Sequence, residues 1–479
     1  LERKLMNAKN SERSPINVIL HFDMDCYYAS AEMVRNPSLM GKPVGILQNK
    51  CICTTNYVAR GLGVFKMSHY KQAVEICPNL IVIPADMNYY QAESRKIWNY
   101  VRDTFFKARH SPDLVDIEIL GLDEINADIT KLVMQRLCLL EEPMTSCPGY
   151  IMPEGKKFES SIENQMLWMG GVIADELRRE IASKFGYNGS AGIAHNIMLA
   201  KLIGNEHKPA SQTVLMYDPS YIEKEYLAPR SIRDIPNIGR ITQKKLNALS
   251  IHTMEDLVCL YRKNPEVMMK IGDIKTFVEL AKGVDKRPIS SNKGFEKKSL
   301  MVEVTFPTVS KISTLRTHLA TLIETFCYRI RLDFERHHRV PTAVLVRWGD
   351  RIRHHSMTVN LNEVIQSTLN KVVRQKGNLK DHEATLLSFF LNVYVSQFSH
   401  PFHVYNLGLI FHKFISSNAR SIQLTLSSSE NSDSKTLIKS EYPTVSSISL
   451  EKQAEKRKQS ILHHRIATRV EKNLKKGTL

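Results

Sequence analysis

The chain has 479 residues, enough for several domains with cores of their own, and 66 Lys and Arg against 49 Asp and Glu give it a formal charge of +17. No run of about 18 apolar residues occurs, which excludes a membrane-spanning helix. Its eight Cys are scattered without a CxxC pair, which excludes a paired zinc pattern and suits reduced thiols in an intracellular protein. So basic a balance points to a polyanionic partner, nucleic acid or an anionic membrane surface, and says nothing about catalysis.

Residues 1–16 are polar, lack a signal-peptide pattern and read as disordered; because Leu1 is not Met, we expect the natural N-terminus to be missing. A strand follows, with Val18, Leu20 and Phe22 alternating against Ile19, His21 and Asp23. It runs into Asp23 and Asp25, and a buried carboxylate without a cation is costly or neutralises. A regular strand would put both acids on one face. We expect the strand to end between them, leaving Asp25 structural.

After a short helix that stops near Asn36-Pro37, KPVGILQNKCICTTNYVARGLGV reads as strand, turn, strand and helix start. Thr54 and Asn56 fall at that helix N-terminus, with Tyr57 and Arg60 one turn apart on one face. A helix N-terminus with an Arg suits phosphate, although in an isolated case a capping Thr and a solvated Arg are commoner. Residues 87–109 are helical by pattern. The strand Val115–Leu122 then ends in Asp123 and Glu124. Either acidic pair alone reads as a turn or a solvated strand end; two pairs, each after an apolar strand, point to a hard divalent metal such as magnesium. Asp128 is a secondary candidate.

Residues 141–165 are rich in Pro, Gly and charge and read as a surface insertion. Val172–Phe185 is an amphipathic helix closed by Gly186. SAGIAHNIMLAKL is a buried strand and then a helix bearing Lys201, which by itself is a surface lysine. Between Ser231 and Leu257, IPNIGR between helical runs predicts a helix-hairpin-helix. There Gly239 would expose backbone N–H groups to a DNA phosphate, with Arg240, Lys244 and Lys245 adding charge, although some helical hairpins only pack. A Lys- and Ser-rich linker, 286–298, precedes a β-α-β-β-α-β order. Arg347, Arg351 and Arg353 are evenly spaced, as a sheet needs to present charge on one face; a solvated sheet face explains them equally well. Glu383–Phe390 resembles a sliding-clamp box, but Leu386, Phe389 and Phe390 have the spacing of a packed helix face. The tail, 416–479, is Ser-rich, then charged, and reads as largely disordered.

The stretches HFDMDCYYASAEM, KPVGILQNKCICTTNYVARGLGV, LGLDEINADIT, SAGIAHNIMLAKL, IPNIGRITQKKLNALSI and PFHVYNLGLIF together resemble the Y-family DNA polymerases, the lesion-bypass enzymes. The resemblance runs from about Asn17 to Phe411. Gly121 before Leu-Asp-Glu points to one branch, since most members have Ser near that position. The resemblance implies an α+β, multidomain right hand: a ferredoxin-like palm (17–26 and 88–211), small fingers (27–87), a helical thumb (212–285) and a little finger (299–415). It implies template-directed synthesis on primer-template DNA from deoxynucleoside triphosphates, with two magnesium or manganese ions, in the nucleus. Asp23, Asp123 and Glu124 would be catalytic and ligate metal, with Met24 ligating through its carbonyl. Tyr28, Gln48, Thr54, Tyr57, Arg60 and Lys201 would meet the nucleotide. Tyr28 would exclude ribonucleotides, although neighbouring Tyr27 fits that role as well. Where the family usually has Asn-Lys, this chain has Asn196-Ile197, so only Lys201 carries over. Members often have sliding-clamp and ubiquitin motifs beyond the core, and the tail holds no convincing copy. A non-catalytic DNA-binding scaffold and a template-independent deoxycytidyl transferase are the competing readings.

Overall fold

The computed structural model describes residues 16–108, 112–140, 142–155, 161–268, 271–289, 299–350, 353–398 and 401–416. Arg351, residues 1–15, most of the expected 286–298 linker and the tail beyond Ser416 lie outside the described residues. The architecture is mixed α+β and multidomain. In chain order the strands are β1 (Ile19–Met24), β2 (Val44–Gln48), β3 (Cys51–Thr55), β4 (Ser68–His69), β5 (Ile81–Pro84), β6 (Asp116–Ile119) and β7 (Glu124–Asp128). They continue as β8 (Tyr150–Met152), β9 (Gly189–Ala194), β10 (Gln212–Leu215), β11 (Leu300–Val309), β12 (Arg339–Asp350), β13 (His354–Asn360) and β14 (Val404–Ser416). Among the described residues three sheets result, ordered β6-β7-β1-β9-β10-β8, β4-β3-β2-β5 and β11-β14-β12-β13.

The large sheet is built around β1, which pairs antiparallel with β7 on one side and β9 on the other. Its strand period divides it: Leu20, Phe22 and Met24 enter one core, while Ile19 joins another. The helix Ile162–Phe185 covers the first face. It lies very close, because a methyl on Gly170 would meet Val18 Cγ1 at 2.8 Å and Ile193 Cγ2 at 2.9 Å. On the other face the helix Ile197–Ile203 crosses β9, where a methyl on Gly204 would meet the Gly192 nitrogen at 3.0 Å. That closeness holds Lys201 over the end of the sheet.

Several expectations change. The helix expected at Val172–Phe185 begins at Ile162, capped by the Ser161 hydroxyl. The segment 141–165 is more than a surface insertion: β8 pairs in parallel with β10 as the sheet's outermost strand. The Gln165 amide both accepts from Met144 N (2.9 Å) and donates to Met144 O (3.1 Å). Gln212–Leu215, assigned above to the helical segment 212–285, is a strand of the large sheet. The expected strand Val115–Leu122 is confined to β6; Leu120–Asp123 form the turn, closed by Leu120 N–H to Glu124 O at 3.0 Å.

The expected helix-hairpin-helix opens with a single 3-10 turn, Ile232–Asp234, followed by helices Arg240–Asn247 and Met254–Lys263. Pro236 explains the shortness, because the residue before proline is driven to extended backbone, and Ile235 has ψ 125°. The C-terminal sheet packs on helices Ile312–His337 and Leu379–Val395 and on a further helix, Glu363–Val373, which the β-α-β-β-α-β order did not include. Within the clamp-like box Leu386 and Phe390 are buried in this core and Phe389 packs against it.

Candidate active site

Antiparallel pairing sets Asp23, next to last in β1, directly opposite Glu124, the first residue of β7. Asp123 precedes it in the turn, and the Met24 N–H donates to the Asp123 carbonyl at 2.8 Å. The Met24 side chain is buried in the core. The adjoining ends of β1 and β7, with the turn before β7, therefore bring three carboxylates together. Burial pushes the Asp123 carboxyl up to about 6, with Asp23 and Glu124 adding to the shift. Burial also raises Asp23, and Lys208 partly offsets it. Burial pushes Glu124 up as well, but Lys201, with His21 and Lys208, together outweigh that and hold it below its ordinary value.

Two lysines reach these acids. Lys201 Nζ lies 2.7 Å from Glu124 Oε2, and Lys208 Nζ lies 3.0 Å from Asp23 Oδ2. Lys208 was not among the sequence candidates; it follows the Lys201 helix in a loop, and no periodicity marks it. His21 is a second addition. It shares the Asp23 face of β1, and its ligand nitrogen lies with carboxylate oxygens of Asp23 and Glu124 in a group spanning no more than 4.8 Å. Its Nδ1 is 2.8 Å from Asn126 Oδ1, and burial pushes the imidazole down to about 4. Strand alternation already put His21 with Asp23, so this signal was available in the sequence.

β1 ends at Met24, and Asp25 is buried apart from the acidic group. It accepts hydrogen bonds from the Ser190 hydroxyl (2.9 Å), Ala210 N–H (2.8 Å) and the Tyr57 hydroxyl (3.4 Å). Asp128 accepts from Thr130 N–H at 3.0 Å and is spent at a helix start.

The small sheet carries the other nucleotide candidates. Asn56 caps the helix Tyr57–Gly61, accepting from Ala59 N–H at 3.0 Å; Thr54 lies inside β3 and does not cap. Arg60 stacks over the Tyr57 ring at 4.6 Å and donates to Thr55 O at 3.1 Å. Tyr28 is half-buried, and its ring stacks on Tyr90. Tyr27 is buried, its hydroxyl donating to Tyr90 O at 2.6 Å. Gln48 is exposed at the end of β2, opposite Cys51.

Gly239, Arg240, Lys244 and Lys245 lie apart from this group, all exposed at the hairpin and its helix. Arg347 is half-buried in β12 opposite Ser356. Arg353 is exposed in the β12–β13 turn rather than in a strand, its N–H donating to Asp350 Oδ1 at 2.8 Å. The even spacing expected to align these arginines therefore does not describe one strand face.

The sequence model of the impB/mucB/samB family matches residues 22–205. DNA polymerase iota of Mus musculus is 32% identical over 71% of this chain and 46% of its own length. DNA polymerase iota of Homo sapiens is 33% identical over 65% of this chain and 41% of its own. DNA polymerase IV of Shewanella sp. (strain MR-4) is 32% identical over 60% of this chain and 68% of its own. The chain thus spans less than half the length of these two iota relatives.

Proposed function

Since the chain belongs to the impB/mucB/samB family of Y-family translesion polymerases, we propose that it is a template-directed DNA polymerase that extends a primer opposite damaged or undamaged template. The observation that carries the reading is the register of β1 on β7, which sets Asp23 against Glu124 with Asp123 beside them. On this reading the large sheet is the palm, the small sheet the fingers, the helices from Pro219 to Ala281 the thumb and the C-terminal sheet the little finger.

The acidic group fits hard divalent cations. Its donors include three carboxylates, and burial leaves Asp123 reluctant to ionise without a cation nearby. Asp23, Asp123 and Glu124, with the Met24 carbonyl, would hold two magnesium or manganese ions. Once bound, such ions stabilise the attacking and leaving oxygens as a primer 3′-hydroxyl displaces pyrophosphate. Lys201, Lys208 and Arg60 supply positive charge for a triphosphate, and Tyr57 holds Arg60 in place by stacking. Tyr28, whose hydroxyl feels the Asp123 charge, would lie where a nucleotide sugar passes. The +17 charge suits a DNA partner, and work on DNA would be nuclear.

Primer extension with each single nucleotide on the four template bases tests the reading. Insertion that follows the template supports it. Insertion of dCTP alone whatever the template would mark a deoxycytidyl transferase, and binding without extension a scaffold.

A further inference from the structure

We propose that Lys201 and Lys208 act as ammonium placeholders at the acidic site, each pairing with a metal-ligand carboxylate until divalent cations arrive and then passing to the nucleotide's phosphates. Cation binding and nucleotide binding would thereby be coupled through these two side chains. This rests on the polymerase reading above.

The pairing is specific. Lys201 Nζ is 2.7 Å from Glu124 Oε2 and Lys208 Nζ is 3.0 Å from Asp23 Oδ2, so two of the three acids each carry one lysine. Both lysines come from outside β1 and β7, one from the helix Ile197–Ile203 and one from the loop before β10. The Lys201 helix is anchored where it starts: Asn196 Nδ2 donates to Gly283 O at 2.8 Å, and Asp285 Oδ2 accepts from Met198 N–H at 3.1 Å. Its backbone is fixed, while the Lys201 side chain is 46% exposed. Lys208 is 20% exposed and meets Asp23 from the loop before β10.

Charge gives the direction of the coupling. Three carboxylates and two ammoniums leave one net negative charge, so the acids are nearly balanced without a cation. A divalent ion binding the same oxygens must compete with the ammonium already there, and the two repel. A triphosphate removes the conflict by giving the displaced lysines an anion of their own. The lysines therefore oppose cation binding before the nucleotide arrives and favour it afterwards. By linkage, cation and nucleotide strengthen each other reciprocally.

The test titrates the full chain with Mn2+, reading free Mn2+ by electron paramagnetic resonance, first without nucleotide. Lys201→Met and Lys208→Met should each bind Mn2+ about fivefold more tightly than the parent, a shift typical of coupled sites. With primer-template and a non-hydrolysable deoxynucleotide present, the gain should vanish or reverse. Lys208→Arg keeps the charge and should show no gain. If a Met variant loses its melting transition, the Gln variant at that position replaces it. Equal or weaker Mn2+ binding by folded Met or Gln variants without nucleotide overturns the proposal. A parent that extends primers while the variants show no gain refutes the placeholder role alone. A parent that neither extends primers nor binds Mn2+ through Asp23 and Glu124 refutes the polymerase reading and this proposal with it.

Discussion

Tyr28 stacks face to face on Tyr90, with ring centroids 4.7 Å apart and planes 13° from parallel. Tyr90 is buried, and its hydroxyl donates to Glu32 Oε1 at 2.9 Å, so the surface beneath Tyr28 is rigid. A pocket that merely fits the smaller sugar rejects an added hydroxyl poorly, whereas a fixed ring in its way rejects it well. Tyr28→Ala should raise ribonucleotide insertion at least tenfold while deoxynucleotide insertion falls less, on the order of 1–3 kcal/mol of discrimination. Tyr27→Ala should lose about 3–5 kcal/mol of stability, as large buried aromatics do, without that gain. Single-nucleotide insertion assays and denaturant melts separate the two. Unchanged discrimination in Tyr28→Ala would put the gate elsewhere.

Asp123 and Glu124 should be indispensable for extension and dispensable for DNA binding. The double change to Ala should reduce extension by several orders of magnitude, the scale on which charge stabilisation works at such sites. Primer-template affinity, measured by fluorescence anisotropy, should stay within about threefold, because non-specific DNA binding depends on basic residues rather than acids. Substantial residual extension would remove these residues from the chemistry.

Asp123 also predicts a pH dependence of stability. Its carboxyl is pushed up from the ordinary 3.8 to about 6. The folded protein therefore binds more protons than the unfolded chain between those values. The group's contribution is fully present below the lower value and is lost as pH rises through about 6. In metal-free protein, Asp123→Asn should be more stable than the parent at pH 7 by up to about 3 kcal/mol, at 1.36 kcal/mol per unit. The difference should shrink toward pH 4. Urea melts at the two pH values check it, and a difference that grows on acidification would contradict the assignment.

Gln48 is exposed at the end of β2; if it faces the templating base, as the family resemblance implies, its bulk would narrow the room there. The parent should copy the four template bases with unequal efficiency, and Gln48→Ala should even them out. Cys51, directly across the hairpin, is small and would limit the size of such an effect. Steady-state insertion on four templates decides; equal efficiencies in the parent would end the idea.

Lys244 and Lys245 are exposed on the helix that follows Gly239. If each neutralises one phosphate, changing both to Ala should lower the slope of log affinity against log salt by about 2, at roughly 0.9 per contact. An unchanged slope would take this hairpin out of the DNA interface.

The site was legible where one strand's pattern sufficed. Asp23 interrupts an apolar alternation, and Glu124 follows another, so both stood out as acids needing a partner. Lys208 did not, because only tertiary packing of the loop before β10 brings it to Asp23. β8 was hidden in a stretch rich in Pro and Gly, since a three-residue parallel strand has no period of its own to read. The helix Glu363–Val373 had its signals in plain view: Asn362 as cap, and Ile365, Leu369, Val372 and Val373 at helical spacing. At the hairpin, Pro236 is the residue that cuts the first helix short, because it drives Ile235 to extended backbone.

β8 has a practical consequence for anyone trimming the chain. Tyr150–Met152 is the outermost strand of the large sheet, and β10 beneath it carries the hydrogen bonds that would otherwise face outward. Excising residues 141–161 as dispensable surface would uncover that row of backbone donors and acceptors, a ready template for a second chain. The first symptom would be self-association during expression, with the acidic group at the ends of β1 and β7 still intact. A solubility screen alone would then misreport a shortened protein as inactive.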